Sequence, residues 1–105
     1  MIQKKLIGDH AFFSFEENDR LNVKNINLFK IKVLRSVINP KVNTIVIDLK
    51  GLDFMDSEGA KGLVTLRKFA KRKQKKFYLR NISSEFNEII KLLNIDKDFE
   101  IYQEL

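Results

Sequence analysis

The sequence predicts an α/β fold: a mostly parallel central sheet, an N-terminal antiparallel hairpin at its edge, and helices packed on it. Three observations carry this. Short runs rich in β-branched and aromatic residues alternate with longer runs of helical period. Residues 44–49 (TIVIDL) form a nearly continuous β-branched run, the pattern of a strand covered on both faces. Residues 2–7 (IQKKLI) and 11–16 (AFFSFE) are separated by Gly8, Asp9 and His10, which suits a hairpin turn. Strand-helix alternation with right-handed crossovers then makes the remaining strands parallel.

From residue 22 to 38 the apolar residues Val23, Ile26, Phe29, Ile31, Val33, Leu34, Val37 and Ile38 recur mostly at three- and four-residue intervals, and Pro40 lies just beyond. This predicts an amphipathic helix, with Asn22 or Asn25 able to cap its start. The run 44–49 belongs at the sheet centre, and residues 51–56 form a short loop. From Ser57 to about Arg72 a second helix puts Ala60, Leu63, Leu66, Phe69 and Ala70 on one face and turns Lys61, Lys68, Lys71 and Arg72 mostly outward. Residues 75–81 (KKFYLRN) follow as a strand, 83–93 as a helix, and 99–102 as a last extended piece.

A chain of 105 residues suits one domain, 1–105, and 44% hydrophobic residues with nine Phe are enough for a real core. There is no Cys, which excludes disulfides and thiolate chemistry, and the lone His10 cannot build a histidine metal cage. No apolar run reaches signal-peptide or membrane-spanning length, so a cytoplasmic protein with no membrane partner is expected. Formal net charge is +6, and the stretch from Arg67 to Lys76 carries seven basic residues and no acidic one. Nucleic acid is nevertheless not expected as a partner. Phe69 and Phe77 fall at core positions and leave no stacking platform, and a charge run on the outer face of a helix is most often a solubilising surface. An acidic partner protein is the alternative for this face.

Chemistry concentrates in residues 46–66, VIDLKGLDFMDSEGAKGLVTL. Ser57 stands where a strand gives way to a helix, and free first-turn amides with the helix dipole favour an anion there. Asp53, Asp56 and Glu58 lie within four residues of it and would repel one. Ser57 or Asp56 can serve as the helix cap, and either register keeps Ser57 near the surface. The three carboxylates do not predict a magnesium site, since no phosphate-cradling glycine motif accompanies them. An enzyme is not predicted either, because the one histidine falls in a distant hairpin turn.

Val46-Ile47-Asp48-Leu49, then Leu52-Asp53-Phe54-Met55-Asp56-Ser57, then Gly59 and Leu63, resemble the central motif of STAS domains, most closely that of bacterial anti-sigma factor antagonists. The resemblance continues through residues 77–81, 83–86, 93–96 and 99–102, with Leu21-Asn22 a weaker match to an early Leu-Asp. It implies the STAS fold and a non-enzymatic switch without a cofactor. In that family the free antagonist binds an anti-sigma factor with serine kinase activity and so releases the sigma factor; a metal-dependent serine phosphatase reverses the phosphorylation. Carried over, Ser57 is the phosphorylated residue. Asp53, Met55, Asp56, Ser57, Glu58, Gly59, Lys61 and Gly62 bind the partner, and Asn22 supports the switch.

Four departures stand out. Glu58 replaces a second serine, Gly59-Ala60-Lys61-Gly62 replaces a Gly-Leu-Gly run, Asn22 replaces an aspartate, and the family's final helix is expected to be short or missing. The alternative implied by the same resemblance is a STAS scaffold, or a subunit of a signalling or transporter assembly, with no phosphorylation cycle. The resemblance indicates no oligomeric state.

Overall fold

Gly8 takes a φ of 60°, a conformation that costs glycine little and lets the chain reverse within two residues. In this computed structural model, which describes residues 2–102, the elements run β1 (Gln3–Ile7), β2 (His10–Ser14), β3 (Asp19–Leu21), α1 (Ile26–Val37), β4 (Thr44–Asp48), β5 (Leu52–Met55), α2 (Ser57–Arg72), β6 (Lys76–Arg80) and α3 (Ser84–Leu92). A short 3-10 turn, Asp96–Asp98, follows.

The main sheet has the order β1-β2-β4-β6, with the β1/β2 hairpin antiparallel at the edge and the other pairs parallel. β4 is central, as its β-branched run requires, and Ile101 bridges Leu79 in parallel beyond β6. Ala11, Phe13, Ile45, Ile47, Phe77 and Leu79 share one core with Val33 of α1, Leu63 and Leu66 of α2, and Phe86 of α3. The opposite face carries rings in place of helices. Phe12, Tyr78 and His10 gather around Tyr102 with centroids 5.7–6.1 Å away. Val46, whose register partners are Phe12 and Tyr78, is fully buried there.

Four expectations need correction. His10 opens β2, paired with Ile7, because the turn needs only Gly8 and Asp9. The first helix begins at Ile26, not at residue 22, and neither asparagine caps it. Asn25 holds the cap position without a side-chain cap bond; its Oδ1 accepts the Asn22 amide at 2.9 Å and its Nδ2 donates to the Arg20 carbonyl at 2.7 Å. Val23, Ile31 and Ile38 fall outside the buried face, which consists of Ile26, Phe29, Val33, Ser36 and Val37. Residues 51–56 are not merely a loop, since Leu52–Met55 pairs in parallel with Asp19–Leu21 as a second, two-stranded sheet. Strands this short leave too little pattern in sequence to be read.

The later helices match closely. α3 is capped by the Ser83 hydroxyl, which accepts the Phe86 amide at 3.2 Å, and among the described residues only the 3-10 turn follows it as a helix. One cation of the 67–76 run is structural, because the Lys75 ammonium donates to the Asn39 and Val42 carbonyls and so ties the loop after α1 to the start of β6. Among the described residues no helix is long and apolar enough to cross a membrane.

The turn of the hairpin is pinned to the start of β4. The Asp9 carbonyl accepts the Asn43 and Thr44 amides at 2.8 and 3.3 Å, and its carboxylate accepts Asn43 Nδ2 at 3.0 Å and His10 Nδ1 at 2.7 Å. The Asn43 bond, followed by the His10 bond, holds the Asp9 carboxyl below its ordinary pKa. A carboxyl lowered on folding stabilises the protein above the unfolded value of about 3.9, and that contribution is lost as pH falls through the folded value. Asn43→Ala is expected to raise the Asp9 pKa in an NMR titration and narrow this acid-side window; an unchanged midpoint would show that Asn43 does not act on Asp9.

Candidate functional site

The junction between β5 and α2 is built around one carboxylate. Asp56 has extended backbone, φ −93° and ψ −179°, the geometry of a residue that precedes a helix without joining it. Its amide donates to the Leu21 carbonyl at 3.2 Å and its carbonyl accepts the Ala60 amide at 3.0 Å. Its Oδ1 accepts the Gly59 amide at 2.8 Å, and its Oδ2 accepts the Val23 amide at 3.1 Å. One side chain thus caps α2 and ties it to the segment after β3. Of the two registers the sequence leaves open, Asp56 takes the cap. Ser57 is then the first helical residue, exposed, and its hydroxyl has no hydrogen-bond partner among the described residues.

Asp53 is exposed on β5, and Glu58 is exposed with its Oε2 3.5 Å from Lys61 Nζ. At such exposure this pair contributes little to stability, but it keeps a cation beside the acidic turn. Asn22 supports the site from the side: its Oδ1 accepts the Lys24 amide at 3.0 Å and its carbonyl accepts the Asn25 and Ile26 amides. Met55, Gly59 and Gly62, three of the residues the resemblance assigns to partner binding, are buried. They shape the surface from beneath. A Cβ on Gly59 would lie 2.4 Å from the Leu21 carbonyl oxygen, and one on Gly62 would lie 2.2 Å from Ile26 Cδ1. Close approach of α2 to β3 therefore requires glycine at position 59, while at position 62 the obstruction is the movable Ile26 side chain.

Two residues were missed by sequence reasoning. Val23 is exposed to 60% and Phe54 to 45%, placing apolar surface beside the Ser57 junction, with the Arg20 guanidinium 5.7 Å over the Phe54 ring. Val23 reads as helical core in a periodicity count, and Phe54 belongs to a strand too short to be recognised. Asp53, Asp56 and Glu58 do not converge: among the described residues no three histidine or acidic side chains gather closely enough to hold a metal ion. The arrangement presents an exposed hydroxyl, nearby carboxylates and a small apolar surface.

A family model described as the STAS domain matches residues 2–105. Among solved structures, an anti-sigma-factor antagonist (STAS) domain protein from Planctomyces limnophilus is 23% identical, over 99% of this chain and 91% of that one, with a TM-score of 0.83. The anti-sigma factor antagonist SpoIIAA in its unphosphorylated form is 15% identical, over 99% and 90%, with a TM-score of 0.79. The same protein, a Bacillus cell fate determinant, in its phosphorylated form gives 15% identity, 99% and 93% coverage, and a TM-score of 0.73. A murine anion transporter of solute carrier family 26 is 21% identical over 84% of this chain but 14% of its own length, with a TM-score of 0.71. At these identities the likeness is one of fold.

Two stability measurements follow from the geometry. In urea titration, Asp56→Ala is expected to cost about 1–2 kcal/mol and Ser57→Ala less than about 0.5 kcal/mol; equal costs would mean that Ser57 shares the cap. Gly59→Ala is expected to destabilise by about 1–3 kcal/mol despite the better helix propensity of alanine, because the obstructing atom is a backbone oxygen. Gly62→Ala should cost less, since the Ile26 side chain can rotate away, and the reverse order would contradict the packing described.

Proposed function

The chain belongs to the STAS domain family, and from that premise we propose that it is an anti-sigma factor antagonist, a protein-binding switch set by phosphate on Ser57. It docks through the surface formed by Asp53, Asp56, Ser57, Glu58 and Lys61, with Val23 and Phe54 adding apolar contact. Its partner is an anti-sigma factor with serine kinase activity, and binding frees a sigma factor for transcription. A serine phosphatase restores the binding form.

The observation that carries this reading is the exposed Ser57 hydroxyl at the first position of α2, without a partner among the described residues because Asp56 holds the cap. A phosphate there gains roughly 0.3–1 kcal/mol from the helix N-terminus. It also adds about 1.5–2 negative charges among Asp53, Asp56 and Glu58, where like charges repel. These opposed effects leave the fold nearly unchanged and alter the surface potential strongly, which is the requirement for a docking switch. The likeness to SpoIIAA, known in phosphorylated and unphosphorylated forms, supports the same view.

A second reading, a STAS scaffold or assembly subunit without a phosphorylation cycle, is favoured by the permanent charge of Glu58 next to Ser57 and by the likeness to the transporter domain. The two separate cleanly. With the cognate kinase and ATP, the antagonist acquires one phosphate, located at Ser57 by mass spectrometry. In calorimetry Ser57→Ala binds the anti-sigma factor like the unmodified protein, and Ser57→Asp binds at least about ten-fold more weakly. An active kinase that leaves Ser57 unmodified, or a partner indifferent to both substitutions, would decide for the scaffold.

A further inference from the structure

From Arg20 to Ile47 the chain carries six basic residues and no acidic one, a second cationic stretch besides that of residues 67–76. α1 lies within it. The inner face of this helix fills the core, yet its outer face is not simply polar. Leu28, Ile31 and Ile38 are exposed to 67%, 49% and 62%. With Arg35 they form one row at spacings of three, four and three residues, which a helix stacks along a single stripe. Ile38 still belongs to that geometry, since its amide donates to the Leu34 carbonyl at 3.0 Å. Lys24, Lys32 and Arg35, all exposed, stand in and beside the row.

Three large aliphatic side chains exposed along about 15 Å of helix are a patch that calls for an occupant. The charge restricts what it can be. A second copy docking α1 on α1 would bring two acid-free, cationic faces together and be repelled. An anionic bilayer surface satisfies both features at once: its headgroup boundary yields around a convex ridge of aliphatic side chains, and its phosphates meet the flanking cations. Asp19, which lines a groove next to Leu28 and Lys32, is already engaged in accepting the Glu16 amide at 2.7 Å. A surface contact needs no spanning segment, so the want of a long apolar run does not bear on it.

We propose that the outer face of α1, the row Leu28, Ile31, Arg35 and Ile38 with Lys24 and Lys32, binds the full domain to anionic lipid surfaces. Co-sedimentation of the full chain with phosphatidylcholine vesicles containing about 30% phosphatidylglycerol, at low and high salt, tests it. Binding to the anionic vesicles at low salt, its loss at high salt, and no binding to pure phosphatidylcholine are expected. The triple variant Lys24→Gln, Lys32→Gln, Arg35→Gln should weaken binding about a hundred-fold, near five-fold for each cation. Leu28→Ser, Ile31→Ser and Ile38→Ser together should weaken it at least about ten-fold with an unchanged circular dichroism spectrum. Failure to bind the anionic vesicles overturns the proposal and leaves an acidic protein as the occupant. Binding that survives both variants but is lost with Arg67→Gln and Lys71→Gln overturns it in favour of the other cationic stretch. None of these outcomes depends on Ser57, so they leave the switch reading untouched.

Discussion

The junction depends on the two hydrogen bonds accepted by one carboxylate. Asp56 Oδ1 takes an amide that the start of any helix leaves unpaired, and Oδ2 takes the Val23 amide from a segment 33 residues earlier in the chain. The first bond fixes where α2 begins; the second fixes where it sits relative to β3 and α1. Charge-assisted bonds of this kind are stronger than neutral ones, and neither needs the serine that follows. A residue that would otherwise serve as the cap is released from structural duty and stands exposed with a free hydroxyl. Separating the structural role from the chemical one would allow Ser57 to carry a phosphate without unmaking the helix.

Packing beneath the junction enforces the same arrangement. The small β3/β5 sheet sets Leu21 beside α2, and the Leu21 carbonyl accepts the Asp56 amide at 3.2 Å. That carbonyl is also the atom a Gly59 side chain would strike, so the hydrogen bond and the glycine are two requirements of one close approach. Gly62 repeats the logic one turn later against Ile26 at the head of α1. Buried Met55 and Leu63 complete the floor. The outer layer, by contrast, is governed by weak and adjustable interactions: the exposed Glu58–Lys61 pair, the Arg20 contact to Phe54, and the charges of Asp53 and Ser57's neighbours. A rigid base under a tunable surface suits recognition that must be reversible.

The sequence was most legible where burial is one-sided or complete. The β-branched run of β4, the apolar face of α2 and the span of α3 each follow a strong local rule, and their boundaries agree with the structure to within about a residue. It was least legible where the rule is tertiary. β3 and β5 have three and four residues and become strands only by pairing with each other across the intervening α1 and β4. Residues 22–25 carry helix-like spacing, but the Asn25 side chain turns back to the Asn22 amide and the Arg20 carbonyl, and the helix starts later. Periodicity also overcounts burial, because Val23, Ile31 and Ile38 satisfy the spacing without facing the core. Within the site, residue types were readable from the motif, whereas which of them touch solvent was not: Met55, Gly59 and Gly62 share the motif with Ser57 but lie under it.

Charge is divided in space as well as in sequence. The Ser57 junction gathers Asp53, Asp56 and Glu58 in a molecule of formal net charge +6, while the cations concentrate on α1 and on the far end of α2 and the start of β6. A phosphate on Ser57 would deepen the negative potential at the junction, and at physiological ionic strength its influence would fade over about 8 Å. The far end of α2, fifteen residues on, is about 22 Å from Ser57 along the helix axis. An anion at the junction therefore acts on whatever docks there and leaves the cations at the far end of α2 at nearly their former potential. Separation of this kind would let one small domain hold a surface that switches and one that does not, with α2 as the rigid spacer between them.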